Sequence, residues 1–299
     1  MPFKVAVASG KGGTGKTTVS VNLQHAVARD LTSNVLLVDC DVEEPNDRIF
    51  FPENQVTNTR EISRMVPEID TDKCTFCRRC VEYCEYNAIV VIPPAGFAEI
   101  NPSLCHSCGA CSVACRDGAI VEKPRAEGVV NWLDTGTGRG LAEGDLKIGS
   151  AMQTLMIKEL KKSVGSDYDI VIYYAPPGTS CPVVETVADV DYIVLVAEPT
   201  PFGLNDLILM VELLLDLGKP FGVVVNKAGL GNKEIYSFLE DQNIEILEEI
   251  PFDRNYASRY ATGALLQDMS KDMAARYGNI IQKIDRRFLQ YEGDNYFKW

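Results

Sequence analysis

The sequence predicts an α/β domain with a mostly parallel sheet, interrupted by a small cysteine-rich insert. Residues 4–38 have the pattern of a strand, a glycine-rich loop, a helix and a second strand. Apolar strand candidates alternate with helical segments again beyond residue 150. Between these parts, eight of the ten cysteines fall within residues 74–115. The predicted boundaries are 1–58 and 128–299 for the α/β domain and 59–127 for the insert.

The composition is that of a soluble globular protein. Of 299 residues, 46% are hydrophobic and 24% are charged, which allows a large core and argues against disorder. The net charge of −13 opposes a general affinity for nucleic acid or anionic lipid. No apolar run approaches the roughly 18 residues of a membrane span, and the N-terminus lacks the features of a signal peptide. We therefore expect a cytoplasmic protein whose partners are neither nucleic acid nor membrane.

The first predicted elements form a βαβ unit. Residues 4–8 are a β-rich apolar run, and residues 9–15 form a glycine-rich loop. Residues 16–29 carry apolar side chains at helical spacing, and residues 35–38 form a second buried strand. Since a crossover helix joins parallel strands, this order predicts a parallel sheet.

The later elements follow from the same periodicities. Strands are expected at residues 170–174, 192–196, 221–225 and 244–250. Helices are expected at residues 150–162, 204–217, 233–239 and 273–288. Residues 135–144 contain four glycines without the G-x-G-x-x-G spacing of a dinucleotide-binding loop, so we predict a flexible return from the insert.

Residues 10–17 read G-K-G-G-T-G-K-T and match the phosphate-binding pattern G-x-x-x-x-G-K-[ST]. Glycines let backbone N–H groups surround phosphate oxygens, Lys16 neutralises the β- and γ-phosphates, and the Thr17 hydroxyl ligates Mg²⁺. The loop follows a strand and opens a helix, as phosphate binding requires, which counts against an ordinary glycine-rich turn. The residues expected to contact the nucleotide here are Gly10, Lys11, Gly12, Gly13, Thr14, Gly15, Lys16, Thr17 and Thr18.

The second lysine of the loop, Lys11, gives the pattern K-G-G-x-G-K-T-T, which resembles the deviant Walker A loop of the MinD/ParA/Mrp family. Residues 39–46 resemble the switch I segment of that family, and residues 175–178 resemble its P-P-G switch II loop. The resemblance implies a P-loop NTPase fold that binds ATP and Mg²⁺. It also implies an ATP-dependent homodimer in which Lys11 reaches the nucleotide of the partner subunit.

The same resemblance implies roles for single residues. Lys11, Lys16 and Asp41 are expected to act in catalysis, Asp41 by orienting the attacking water. Asp39 is expected to belong to the nucleotide site. The segments that resemble those holding adenine contain Asn226, Lys227, Pro251 and Asp253.

One position departs from the family pattern. The strand before the P-P-G loop ends in Tyr174, where the family has Asp. A phenol is a poor partner for Mg²⁺, which prefers carboxylate or water oxygens, and Asp169 lies too early in the strand to replace that Asp. We therefore predict that Thr17, Asp39 and Asp41 hold Mg²⁺ and that the protein is an ATP hydrolase with slow turnover.

The cysteines of the insert form an internal repeat with a period of 31 residues. Each half has the spacing C-x2-C-x2-C-x3-C of bacterial ferredoxins, in which three thiolates hold one cluster and the fourth reaches the other. One [4Fe–4S] cluster is then expected on Cys74, Cys77, Cys80 and Cys115, and a second on Cys84, Cys105, Cys108 and Cys111. Zinc is the alternative, since C-x2-C also suits tetrahedral sulfur coordination. Four cysteines within eleven residues, twice, favour a ferredoxin-like domain with two clusters.

Three functions remain open. The first is an ATP-binding iron–sulfur protein that couples dimer switching to electron transfer or to docking of an unidentified redox or iron–sulfur partner. The second is a carrier for iron–sulfur cluster assembly, although its relatives use a C-x-x-C pair and this chain has only Cys181 after the P-P-G loop. The third is a positioning ATPase of the MinD or ParA kind, against which the net charge and the short tail of mixed charge argue.

Overall fold

The computed structural model describes residues 2–31, 33–51, 54–135, 139–263 and 270–295. The chain divides into two compact units. The first comprises Met1–Thr59, Val130–Asp145 and Gln153–Trp299, and the second comprises Arg60–Val129 and Leu146–Met152. Residues 146–152 were expected in the α/β part but group with the second unit.

The helices and strands are numbered here in chain order within the described residues. The strands are β1 (Phe3–Ala8), β2 (Val35–Asp39), β3 (Gln55–Ile69), β4 (Ile89–Ile92), β5 (Phe97–Ile100), β6 (Ile120–Asp134), β7 (Arg139–Leu146), β8 (Ile170–Tyr174), β9 (Tyr192–Ala197), β10 (Phe221–Ala228) and β11 (Ile246–Pro251). The helices are α1 (Lys16–Asp30), α2 (Arg79–Glu82), α3 (Ala110–Ala114), α4 (Gln153–Lys162), α5 (Cys181–Val187), α6 (Pro201–Asp216), α7 (Glu234–Asp241), α8 (Arg254–Ala261) and α9 (Lys271–Asn295). Every predicted strand and helix is present, β8 with the predicted ends and the others with shifted ends. The elements that were not predicted are β3, β4, β5, β6, β7, α2, α3, α5 and α8.

In the described ranges, the main sheet has nine strands in the order β11-β10-β9-β1-β8-β2-β7-β6-β3. In this order, each strand from β11 to β7 is parallel to its neighbours within that range. The strands in its centre are apolar and buried on both faces, and β9 is buried at all six positions, as a sheet covered by helices requires. The prediction of an α/β fold with a mostly parallel sheet is confirmed.

The prediction of a flexible return at residues 135–144 is wrong. Arg139–Leu146 forms β7, which pairs in parallel with β2. A Cβ on Gly140 would lie 2.6 Å from the hydroxyl of Tyr168, and one on Gly144 would lie 2.7 Å from Val42 Cγ1. These two glycines therefore permit close packing inside the sheet, and they do not mark a loop. Residues 136–138 lie outside the described residues.

The strand order brings three loops to one edge of the sheet. β1 lies beside β8, and β8 lies beside β2, all parallel, so their carboxyl ends point the same way. The glycine-rich loop follows β1, residues 40–46 follow β2, and residues 175–178 follow β8. Ligands of open α/β sheets bind at such an edge.

The second unit contains the cysteine-rich segment. The strands β4 and β5 form an antiparallel pair, and the short helices α2 and α3 each carry cysteines. Its buried apolar cluster is small and includes two of the thiols, with the members Val66, Ala88, Ile89, Val91, Ile100, Cys105 and Cys111. Across the parts of the chain that are described, no helix is long and apolar enough to cross a membrane.

Candidate functional site

The backbone of the glycine-rich loop explains why glycine is needed there. Gly13 and Gly15 have φ angles of 77° and 96°, which glycine adopts at no steric cost. A Cβ on Gly15 would lie 2.1 Å from the side-chain nitrogen of Asn226. A Cβ on Gly10 would lie 2.2 Å from the backbone oxygen of Asp206. Side chains at these two positions would collide with their neighbours.

Lys16 and Thr17 begin α1 immediately after the loop, and both are buried. Burial lowers the pKa of Lys16 to about 8, although nearby carboxylates, chiefly Asp41, act to raise it. Within the described part of the chain, the buried hydroxyl of Thr14 has no hydrogen-bond partner. A lysine and an unpaired hydroxyl at a helix N-terminus, beside a glycine-rich loop, suit a bound phosphate chain. Thr18 follows in the same turn and is half-buried.

Asn226 and Lys227 support the loop from the end of β10. The side-chain nitrogen of Asn226 donates to the carbonyl of Thr14 at 2.7 Å. The Nζ of Lys227 donates to the carbonyl of Gly13 at 2.8 Å. Both side chains therefore hold the backbone of the loop in this structure. Contact with adenine stays a prediction for them.

Pro251 and Asp253 follow the last strand of the sheet. Pro251 ends β11, and Asp253 caps the N-terminus of α8. Its Oδ1 accepts hydrogen bonds from the backbone N–H groups of Asn255 at 2.7 Å and Tyr256 at 3.3 Å. The adenine role of both residues likewise stays a prediction.

Lys11 forms an ion pair that the sequence did not predict. Its Nζ lies 2.6 Å from Glu198 Oε1, while the Nζ of Lys227 lies 2.8 Å from Glu198 Oε2. Burial alone would raise the pKa of Glu198, but hydrogen bonds from the two lysines lower it overall. Glu198 directly follows β9, whose carboxyl end lies at the same sheet edge as the glycine-rich loop. An acidic residue directly after a predicted strand is the sequence pattern that could have identified it.

The loop after β2 is organised around Asp39. This buried carboxylate accepts hydrogen bonds from the backbone N–H groups of Asp41 and Asn46, each at 3.0 Å, and of Asp47 at 3.2 Å. Burial raises the pKa of Asp39 to about 7, against these hydrogen bonds. Burial also raises the pKa of Asp41 to about 6, although Lys16 lowers it. Asp47 is fully buried and was not predicted as a site residue.

Tyr174 occupies the end of β8 beside the phosphate loop. The hydroxyl of Thr17 donates to the hydroxyl of Tyr174 at 3.1 Å. The Nζ of Lys16 lies 5.4 Å from the centre of its ring. Burial raises the pKa of Tyr174, so the group stays a neutral phenol. The phenol thus contacts the hydroxyl for which Mg²⁺ ligation was predicted.

Two cavities in the second unit are lined by cysteines. The first is lined by Cys74, Cys77, Cys80 and Cys115, among other residues. The second is lined by Cys84, Cys105, Cys108 and Cys111, among other residues. Each encloses about 350 Å³, including its open mouth. The structure therefore brings together the same two sets of four cysteines that the spacing predicts.

Backbone N–H groups point at four of these sulfurs. Phe76 donates to Cys74 Sγ at 3.4 Å, and Ser107 donates to Cys105 Sγ at 3.4 Å. The same relation holds between Ala88 and Cys84 at 3.4 Å and between Ala119 and Cys115 at 3.3 Å. These pairs are related by the repeat, and such hydrogen bonds stabilise negative charge on sulfur.

The spacing of the thiols differs from that of a single-ion site. Within the described residues, no group of three or more His, Cys, Asp or Glu side chains could hold one metal ion. Zinc draws its sulfur ligands to about 2.3 Å, which requires them to converge on one point. No such convergence is present among the described residues, and zinc stays an alternative to the two predicted clusters.

The remaining two cysteines lie in the first unit. Cys181 is exposed at the first residue of α5, directly after the loop that follows β8. Cys40 is buried between two acids, and burial raises its thiol pKa. Cys40 therefore packs as a small core side chain.

The sheet order and the phosphate loop define an α/β P-loop nucleotide-binding fold. Residues 5–266 match the family described as the CobQ/CobB/MinD/ParA nucleotide binding domain. Because the match covers most of the chain, the protein belongs to this family of nucleotide-binding domains.

Similarity to known proteins extends over nearly the whole chain. An uncharacterised protein of Methanocaldococcus jannaschii is 31% identical over 94% of this chain and 96% of its own length. The septum site-determining protein MinD of Pyrococcus horikoshii, solved with Mg-ADP, has a TM-score of 0.58 and 18% identity, over 95% of this chain and 96% of its own. An ATP complex of a McdA variant from Cyanothece has a TM-score of 0.59 and 15% identity, over 95% and 96% of the two chains. These two structures show the fold.

Proposed function

We propose that this protein is an ATP-dependent switch that carries two [4Fe–4S] clusters. MgATP binds at the phosphate loop, two subunits close around the nucleotide, and the clusters serve electron transfer or docking of a redox partner. The observation that carries this proposal is the presence, in one chain, of a P-loop and of two cavities lined by complementary sets of four cysteines.

The nucleotide part of the proposal is supported by the loop and by the relatives. The buried Lys16, the unpaired hydroxyl of Thr14 and the left-handed glycines form a cradle suited to phosphate. Two proteins of similar fold were solved with Mg-ADP and with ATP. The deviant lysine Lys11 gives the reason to propose a homodimer, in which it contacts the nucleotide of the partner subunit.

The cluster part rests on the second unit. When bound, the two clusters would supply one-electron redox chemistry. The thiols of each set surround a cavity, and backbone N–H groups oriented toward sulfur favour the thiolate form that cluster binding needs. Apolar side chains such as Ile69 and Ile120 also line the first cavity.

Anaerobic reconstitution with iron and sulfide tests the cluster assignment. We expect bound iron for two clusters per chain, and Cys105→Ser should remove about half of it. Cys181→Ser is the matched control, because this exposed cysteine lies outside both sets and should leave the iron content unchanged. Zinc alone, or no metal, would contradict the assignment.

The coupling is tested by an EPR-monitored redox titration with and without MgATP. A shift in either cluster's potential or spectrum is expected if nucleotide binding reaches the second unit. Two unshifted clusters would favour partner docking or cluster delivery over gated electron transfer.

A positioning ATPase is the second candidate function. It is favoured by the structural match over 95% of the chain with MinD, a septum site-determining protein. ATP-dependent co-sedimentation with anionic liposomes or DNA would support it. We expect neither, because the net charge of −13 opposes both surfaces.

A further inference from the structure

Asp47 has an environment that a purely structural carboxylate does not explain. It is 0% exposed, and neither of its side-chain oxygens has a hydrogen-bond partner among the residues that the structure describes. Burying a carboxylate without a partner is costly, so such groups in folded proteins are normally paired or bind a metal. An orphaned acid beside a predicted nucleotide site therefore suggests a ligand.

The loop that carries Asp47 is held by another acid. Backbone N–H groups of Asp41, Asn46 and Asp47 bind the carboxylate of Asp39 at 3.0–3.2 Å. Both carboxylate oxygens of Asp39 therefore accept hydrogen bonds from the loop backbone. The side chain of Asp47 is left with both oxygens available.

The pairing of β2 with β8 locates Asp47 at the phosphate end of the site. Asp39 is the register partner of Tyr174, and its carboxylate accepts a hydrogen bond from the Asp47 N–H at 3.2 Å. Burial is the main cause that raises the pKa of Asp47 well above the usual range, and Asp39 and Asp41 add to this, whereas Lys16 lowers it. Burial raises the pKa of the Tyr174 hydroxyl, and the negative charge of Asp47 raises it further. That hydroxyl accepts from Thr17 at 3.1 Å. Asp47 therefore belongs to the same buried group as the P-loop threonine.

We propose that Asp47 supplies the carboxylate of the Mg²⁺ site. It takes the role expected of the Asp that the family pattern has at the end of β8, where this chain has Tyr174. Tyr174 in turn fixes the hydroxyl of Thr17. Mg²⁺ usually keeps several waters and takes one or two carboxylates plus substrate phosphates, so one buried acid meets its requirement. This inference rests on the proposed binding of MgATP. It names a ligand that neither the motif nor the resemblance contains.

The test measures the affinity of Mg²⁺ for the complex of the full-length protein with a non-hydrolysable ATP analogue. Asp47→Asn removes the charge with little change of shape. We expect Mg²⁺ affinity to fall about tenfold or more, while analogue affinity in EDTA stays unchanged. Glu143→Gln is the matched control, because Glu143 is also buried with one unpaired oxygen, yet its other oxygen is bonded to Arg48 and Asn131. This control should leave Mg²⁺ affinity unchanged.

A second variant keeps the proposal testable if Asp47→Asn does not fold. Asp47→Glu retains the charge and displaces the carboxylate by one methylene. Since Mg²⁺ demands near-ideal geometry and Ca²⁺ tolerates distortion, this variant should weaken Mg²⁺ relative to Ca²⁺. An unchanged ratio, or a folded Asp47→Asn with wild-type Mg²⁺ affinity, would overturn the proposal. Wild-type protein that binds no nucleotide at all would instead refute the proposed function.

Discussion

Arg64 offers a quantitative test of how the second unit is held together. Its Nε donates to Glu127 Oε1 at 2.6 Å. One terminal nitrogen donates to the carbonyl of Cys105 at 2.7 Å, and the other to the carbonyl of Pro102 at 2.7 Å. Arg64 is 8% exposed and Glu127 is 4% exposed. A single buried guanidinium thus fixes the loop that carries one predicted cluster ligand.

Arg64→Met removes the charge and every donor while retaining an apolar side chain. Glu127 then stays buried with Ser150 as its remaining partner, and breaking such a buried pair costs about 3–5 kcal/mol. Since about 1.4 kcal/mol changes an equilibrium constant tenfold, the ratio of folded to unfolded second unit should fall by roughly two to four orders of magnitude. The pair of Lys123 and Glu68 is the control. Because these side chains are 60% and 61% exposed, Lys123→Met should cost at most about 1 kcal/mol.

The assay is hydrogen exchange followed by mass spectrometry, performed anaerobically on the full chain. It reports an opening free energy for peptides of residues 60–129 separately from those of the first unit. We expect faster exchange in Arg64→Met throughout those peptides and unchanged exchange in the sheet strands β1 and β9. If Arg64→Met and Lys123→Met exchange at the same rate, the reasoning about the buried pair is wrong.

Three further predictions concern the nucleotide site. Glu198→Gln weakens the hold on Lys11, so dimerisation with a non-hydrolysable ATP analogue should tighten about two- to fivefold by light scattering; unchanged or weaker association contradicts this. Gly15→Ala should lower the free energy of unfolding by about 1–3 kcal/mol, because at φ 96° its Cβ would lie 2.1 Å from a side-chain nitrogen. Gly12→Ala, with nothing within 4 Å, should change it by less than about 0.5 kcal/mol in the same thermal melt. Tyr174→Asp should raise steady-state ATP hydrolysis about tenfold, and an unchanged rate would show that Tyr174 does not limit turnover.

Local sequence patterns correctly predicted the βαβ unit at the start of the fold. The prediction of a flexible return at residues 135–144 was wrong, because it depended on packing with distant residues. The phosphate loop, its helix and the flanking strands are specified by contiguous residues, so periodicity and spacing suffice. Gly140 and Gly144 have the composition of a loop, but they lie in a strand that pairs with β2. Glycine is needed there because Tyr168 and Val42 occupy the space that a Cβ would take. A single sequence does not show which distant side chain will pack against a glycine.

The candidate nucleotide site likewise combines residues that a local motif predicts with residues that it does not. Lys16 and Thr17 follow from the motif, whereas Glu198 and Asp47 come from other parts of the chain. Asp47 is one residue beyond the segment that resembles switch I, and no spacing rule marks it. The proposal for Asp47 comes from its burial and its unpaired oxygens in the structure.

Both candidate sites use backbone N–H groups to receive negative charge, and this explains why short motifs identify them. Gly13 and Gly15 take left-handed conformations in the phosphate loop. Phe76 and Ser107 do so beside the cysteines, with φ of 52° and 56°, and their N–H groups bind sulfur. Such arrays need neighbouring residues at fixed spacing, so the sequence records them directly. Side chains that reach a site from a distant part of the chain, such as Glu198, have no fixed spacing from the motif, so the sequence alone does not identify them.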